Sequence, residues 1–162
     1  MKFEKVSLKQ YAESAYNAGH KGDYEKEYKS LELPKRGTAH SAGYDFRIPY
    51  EVTLTPGESA KVPSGIRATG MPPDCVLMIF PRSSSGIKKG LSFLNGTAII
   101  DSDYQNAENE GNIMFAFRNT SDKTQTFEAG ERIAQGIFVR YNIVEDDDAT
   151  NQRVGGIGST GK

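Results

Sequence analysis

Arg82 is followed by Ser83, Ser84, Ser85 and Gly86, which sets one guanidinium and three hydroxyls side by side directly after an apolar run. An arginine grips phosphate oxygens in pairs and a neighbouring hydroxyl can bond another, so this segment suits a phosphate cradle. The C-terminal residues Arg153 to Lys162 repeat that chemistry. They include four glycines, Ser159 and Thr160, and almost nothing that could pack into a core. Successive glycines let backbone N–H groups converge on one anion, so the tail reads as a lid over phosphate.

A third segment, Asn95 to Tyr104, opens on Asn-Gly, a strong hairpin-turn signal, and then places Asp101, Asp103 and a phenol after the apolar pair Ile99-Ile100. Backbone groups of a hairpin can read a planar edge, a carboxylate can deprotonate a water, and a ring can pack flat on a sugar. Spacing alone leaves the choice between Asp101 and Asp103 open, since both fall on one face of a strand. Gln135 interrupts an apolar run, and a buried amide there needs partners. His20 and His40 are not spaced for a metal or a triad, and no histidine adjoins the serines after Arg82.

The elements that must position these groups change character along the chain. Residues 3–8 alternate as a strand does. The apolar spacing from Gln10 to Ala18, and again from an Asp23 cap through Tyr24, Tyr28 and Leu31, predicts two short helices ended by Pro34. From Ala42 onward, short β-type runs at 50–54, 60–63, 66–68, 76–80, 113–117, 124–127 and 133–143 are broken by Pro and Gly turns. That punctuation, without intervening helices, predicts an all-β sandwich or barrel. Three regions are expected: an N-terminal strand and helical appendage at 1–31, a β core at 32–144, and an acidic linker with a flexible arm at 145–162.

The 162 residues suit one domain, and 20 basic against 21 acidic side chains leave the net charge near zero. That balance argues against a stable nucleic-acid or membrane surface. Cys75 is alone in an apolar stretch, and Met1 to Val6 has no apolar leader, so a cytoplasmic location is expected.

Taken in order, Ala42 to Phe46, Pro81 to Gly86, Asn95 to Tyr104, Arg132 to Gln135 and Arg153 to Gly161 resemble the five motifs of the trimeric dUTP diphosphatase (dUTPase) family. The likeness runs from about residue 32 to the C-terminus. It implies a jelly-roll (β-clip type) homotrimer whose sites each use pieces of more than one subunit, with the tail closing over a neighbour's nucleotide. It implies hydrolysis of dUTP to dUMP and pyrophosphate, which limits uracil in DNA and supplies dUMP. Carried over, Asp45 holds the hydration shell of Mg²⁺, while Arg82, Ser83, Ser84 and Gln135 face the phosphates. Asn95, Ile99, Ile100 and Met114 fall where uracil and deoxyribose are held, Asp101 activates the water, Tyr104 lies under the sugar, and Arg153, Gly158 and Ser159 close the lid.

Three departures from the family pattern stand out. Asn106 to Glu110 is inserted before Gly111, which predicts a longer, exposed rim beside the site; Ile157 replaces the lid phenylalanine; and Ser84 stands where glycine is common. Two alternatives share the fold. A dCTP deaminase would need a glutamate in the strand after the hairpin, and Ile113 to Phe117 has none. A nucleotide-gated regulatory protein would report dUTP to a protein partner through the 106–110 loop or the helical N-terminus.

Overall fold

The computed structural model describes residues 1–151, Arg153 and Gly155. The N-terminal segment comprises strand β1 (Lys2–Lys5), helix α1 (Leu8–Asn17) and helix α2 (Tyr24–Ser30). Ser7 caps α1 by accepting from the Gln10 N–H at 3.1 Å, and Asp23 caps α2 through the Lys26 N–H at 3.0 Å. Tyr11 and Ala15, four residues apart and therefore on one face, are fully buried. Tyr11 donates to Glu27 at 2.9 Å, and burial beside that carboxylate raises its hydroxyl pKa. His20 has a structural use as well: its ring stacks on Tyr50 at 3.6 Å and its Nε2 meets Glu27 at 2.7 Å.

Strands β2 (Lys35–Arg36), β3 (Tyr44–Arg47), β4 (Val52–Leu54), β5 (Ser59–Pro63), β6 (Ile66–Thr69) and β7 (Cys75–Pro81) follow. Helix α3 (Ser83–Lys89) then leads to β8 (Leu91–Phe93), β9 (Ala98–Ile100), a 3₁₀ turn (Ser102–Asn106), β10 (Met114–Asn119), β11 (Gln125–Phe127) and β12 (Arg132–Arg140). One sheet runs β2-β3-β12-β7-β9 and another β5-β10-β8, with the pairs β1-β6 and β4-β11 completing the jelly roll. Phe46 of the first sheet meets Phe115 of the second edge to face, ring centroids 5.9 Å apart, and both are buried. Burying a side chain of that size contributes about 1.5–3 kcal/mol, so this seam holds the two sheets face to face.

Residues 1–31 pack on the β core through Val6, Tyr11 and Ala15, which are buried, while no residue of α2 is. β1 pairs with β6, and the Phe3 ring lies 5.4 Å from Phe46 and 5.4 Å from Phe138. The segment after Arg82 is a helix, where the sequence predicts β-type runs without intervening helices. It is held because Ser85 is buried and donates to the Arg132 carbonyl at 3.3 Å, while Gly90 supplies a left-handed end at φ 65°. The Asn95-Gly96 turn does not join two paired strands, because β8 pairs with β10 in one sheet and β9 with β7 in the other.

Candidate functional site

Adjacent strands bring the phosphate-type residues together. Gln135 on β12 stands directly opposite both Asp45 on β3 and Phe80 on β7, so the three share one row across the sheet. Arg82 leaves β7 just beyond that row, its N–H donating to the Ile133 carbonyl at 2.9 Å. Its guanidinium Nε then reaches Asp45 at 2.9 Å. Arg132 reaches the other oxygen of the same carboxylate at 3.0 Å. The Asp45 side chain is 15% exposed, and with one anion between two guanidiniums the cluster carries a net positive charge. That excess suits an anionic ligand.

This row opens into a cavity of about 640 Å³ lined by Asp45, Arg82, Ser83, Ser84, Gln135 and Gly43. A side chain at Gly43 would place its Cβ 2.8 Å from the Gln135 amide oxygen, so the missing Cβ leaves room for that amide. Ser83 and Ser84 begin α3, where first-turn N–H groups have no acceptor within the helix. The structure therefore gathers Asp45, Arg82, Ser83, Ser84 and Gln135 around one electropositive hollow. Arg132 is the member that sequence reasoning left without a role. Its only signal was a basic residue at the start of the Arg132 to Gln135 motif, and its partner Asp45 lies 87 residues away.

The other candidate residues gather elsewhere. β9 runs antiparallel to β7 with Ile100 opposite Leu77 and Ala98 opposite Ile79, so Asp101 leaves at the end of β7 remote from Arg82. Five residue steps lead from Leu77 to Arg82, about 16 Å at the usual rise. Asp101 and Asp103 have half-exposed side chains, and Arg153 spans both: it is bonded to Asp101 and meets Asp103 at 2.8 Å. The same guanidinium sits 5.5 Å from the Tyr104 ring centroid. Tyr104 is buried, its hydroxyl donating to the Asn112 carbonyl at 3.1 Å and accepting from Asn109 at 2.9 Å. Burial raises the pKa of that hydroxyl, opposed by the Asn109 bond and the nearby Arg153 charge.

Ile99 projects outward, half exposed, while Ile100 faces the core; Asn95 is exposed on the turn before β9. Met114 lies on β10, opposite Pro63, and lines a separate hollow of about 550 Å³ with residues of α1. Within one chain, then, Met114 is not gathered with Ile99 and Ile100, nor Asp101 with Ser83 and Gln135. Ile157, Gly158 and Ser159 lie outside the described residues. The 106–110 insertion is the exposed rim the sequence predicts only in part: Asn106 and Glu108 are exposed, but the loop is also tied to the fold. Ala107 is buried, Asn109 bonds Tyr104, and Glu110 accepts two bonds from Ser7, each 2.7 Å.

A metal must also be tested against these groups. Among the described residues no three His, Cys, Asp or Glu side chains converge to hold an ion. Asp45, however, lies on the phosphate-type cavity, which suits Mg²⁺ carried by a polyphosphate and met through water, since that ion keeps much of its hydration shell. β10 carries no carboxylate, as a deaminase would need. Among the described residues no helix is long and apolar enough to cross a membrane.

Comparison with known proteins gives one family. The dUTPase family model matches residues 29–161. A deoxyuridine 5'-triphosphate nucleotidohydrolase of Lactococcus lactis is 40% identical over 134 residues, covering 81% of this chain and 89% of the relative. One from Actinobacillus pleuropneumoniae is 42% identical over 137 residues, covering 80% and 87%. The crystal structure of dUTPase from Streptococcus mutans superposes with a TM-score of 0.69 at 34% identity, covering 90% of this chain and 99% of that one. A mutant dUTPase from phage phi11 of S. aureus, described with a structural Mg(II) ion, shares the fold at 20% identity and TM-score 0.63, covering 75% and 91%. With most of its length matched by the family model and four-fifths of it aligned to relatives at about 40% identity, the chain belongs to the dUTPase family.

Proposed function

We propose that this protein hydrolyses dUTP to dUMP and pyrophosphate, limiting uracil in DNA and supplying dUMP, in a homotrimer whose sites draw on more than one subunit. The observation that carries this reading is the split along β7. Phosphate-binding groups stand at one end of the strand and Asp101 with Tyr104 at the other, about 16 Å apart along the backbone, so within one chain the carboxylate does not stand beside the groups that would hold the phosphorus under attack. Closed symmetric assembly supplies the missing half from a second copy.

In the reaction, water attacks the α-phosphorus while the bond to the β-bridging oxygen breaks and pyrophosphate departs. Asp101 orients the water and takes its proton, which passes to solvent. Arg82, Ser83, Ser84 and Gln135 neutralise and orient the phosphate oxygens, where charge grows on the leaving group. Asp45 would hold the water shell of Mg²⁺, which when bound neutralises part of the triphosphate charge. Tyr104 lies against deoxyribose and disfavours a 2′-hydroxyl by contact and by leaving it unpaired. Asn95 and the backbone of Ile99 and Ile100 hold uracil, with Met114 beside the sugar. Arg153, with Gly158 and Ser159, closes over the γ-phosphate, and Ile157 takes the place of a stacking ring. Since Arg153 engages Asp101 and Asp103 here, productive closure requires it to move onto phosphate. A cytoplasmic location belongs to the same reading, because the free, buried Cys75 needs no oxidising compartment.

The test is product analysis with dUTP, dCTP, dTTP and UTP. The expected result is pyrophosphate with dUMP from dUTP and far less from the others. Ammonia released from dCTP, or no pyrophosphate from dUTP, would overturn the proposal.

A further inference from the structure

The 106–110 insertion and the start of α1 are joined at a point that no catalytic group touches. Glu110 is the non-glycine residue with positive φ, 56°, among those described, a backbone state that costs a glutamate free energy unless its surroundings hold it. What holds it is Ser7. The Ser7 N–H donates to one Glu110 oxygen and the Ser7 hydroxyl to the other, both at 2.7 Å, while the same hydroxyl accepts from the Gln10 N–H. In an ordinary capping box the residue at position 10 would turn back to the Ser7 N–H. Here the Gln10 amide bonds Ser14 at 2.9 Å instead, and a carboxylate 103 residues downstream takes its place.

Next to this anchor the loop closes on the tyrosine. Asn109 Oδ1 accepts from the Gly111 N–H at 3.1 Å, which orients the amide so that Nδ2 donates to the Tyr104 hydroxyl at 2.9 Å. The hydroxyl in turn donates a hydrogen bond to the Asn112 carbonyl at 3.1 Å. Gly111 fits because a Cβ there would stand 2.9 Å from the Tyr104 carbonyl oxygen. Both hydrogen-bonding directions of the phenol are thereby filled by protein. The phenol oxygen lies on the axis about which the ring turns, so holding it fixes the direction of the side chain, and because a phenol donates and accepts close to the plane of its ring, partners on both sides also restrain that rotation.

We infer that Asn109 is a positioning residue for Tyr104, and that the Glu110–Ser7 contact anchors it to α1, so the N-terminal helix becomes part of the device that discriminates deoxyribose from ribose. This rests on the proposed role of Tyr104 against the sugar. A ring free to tilt would admit a 2′-hydroxyl more easily and hold deoxyribose less closely. Neither Asn109 nor Glu110 contacts the reacting atoms; both act through the tyrosine.

The test uses the full-length protein and compares kcat and KM for dUTP and UTP in wild type, N109A, Y104F, the N109A/Y104F double variant and Y104A. N109A should lower the dUTP-over-UTP ratio of kcat/KM by about 3- to 10-fold, the worth of one hydrogen bond, with the loss on KM for dUTP rather than on kcat. Y104F removes the same bond from its other end and should give a similar shift, and the double variant should fall no further than the larger single effect. If N109A loses its cooperative melt, S7A and E110Q probe the same chain from α1, and a shift of the same sign is expected. A ratio that holds in N109A, or in both anchor variants where N109A does not fold, while Y104A changes it, overturns the positioning role alone. A ratio that holds even in Y104A overturns the sugar role of the ring and this inference with it.

Discussion

Arg153 holds the carboxylates of both Asp101 and Asp103, so the described state gives the two acids nearly equal partners and nearly equal exposure. What separates them is the reaction proposed. D101N keeps the shape and loses the base, so turnover should fall by about 10²–10⁴-fold with nucleotide affinity largely kept. D103N should stay within tenfold of wild type. Steady-state hydrolysis and calorimetric binding of a nonhydrolysable dUTP analogue check both. At this scale the sequence made residue types legible, with Arg82, Ser83, Ser84 and Gln135 readable as phosphate groups. It could not show that Asp45 is clamped between Arg82 and Arg132, because 87 residues separate Asp45 from Arg132 and only strand register brings them to 3.0 Å.

The helices α1 and α3 show how elements inherit their ends from distant chain. The two Ser7 bonds hold the Glu110 carboxyl below the usual carboxylate range. With a folded value below the unfolded one, this contact adds stability above the ordinary glutamate pKa of about 4.3 and loses it as pH falls through the lowered value. E110Q should therefore melt about 2–4 °C lower than wild type at pH 7, equivalent to about 1 kcal/mol, and that gap should close as pH drops below about 4. Thermal melts at pH 7, 5 and 3.5 measure it; a gap that stays constant would dismiss the charge of Glu110 as its cause. The same non-local dependence explains why α3 was hidden. Ser83-Ser84-Ser85-Gly86 has poor helix propensity, and the helix is kept by the burial of Ser85 and by Lys89, whose ammonium bonds Thr126 and Glu131, each at 2.7 Å. The capped, periodic helices α1 and α2 were legible because their signals are local.

Across the whole molecule, the proposed reaction assigns different halves of one chemistry to the two ends of β7. Coexpressing D101N with R82A should restore hydrolysis that neither variant supports alone, because about a quarter of the sites in a randomly mixed closed trimer would then join an intact Asp101 to an intact Arg82. Separating mixed from unmixed trimers by distinct affinity tags and assaying each fraction checks this; inactive mixed trimers would argue for sites built from single chains. The alternation of strands and turns made the β class readable, yet sheet order was not, since β1 pairs with β6 and β8 and β9 enter different sheets. The Ser7–Glu110 contact also bears on biosynthesis. At about 5–20 residues per second, a ribosome needs roughly 5–20 s to travel from Ser7 to Glu110. Through that interval Phe3, Val6 and Tyr11 lack much of the sheet that will bury them, so the nascent N-terminus is the stretch of this chain that chaperones have most reason to shelter.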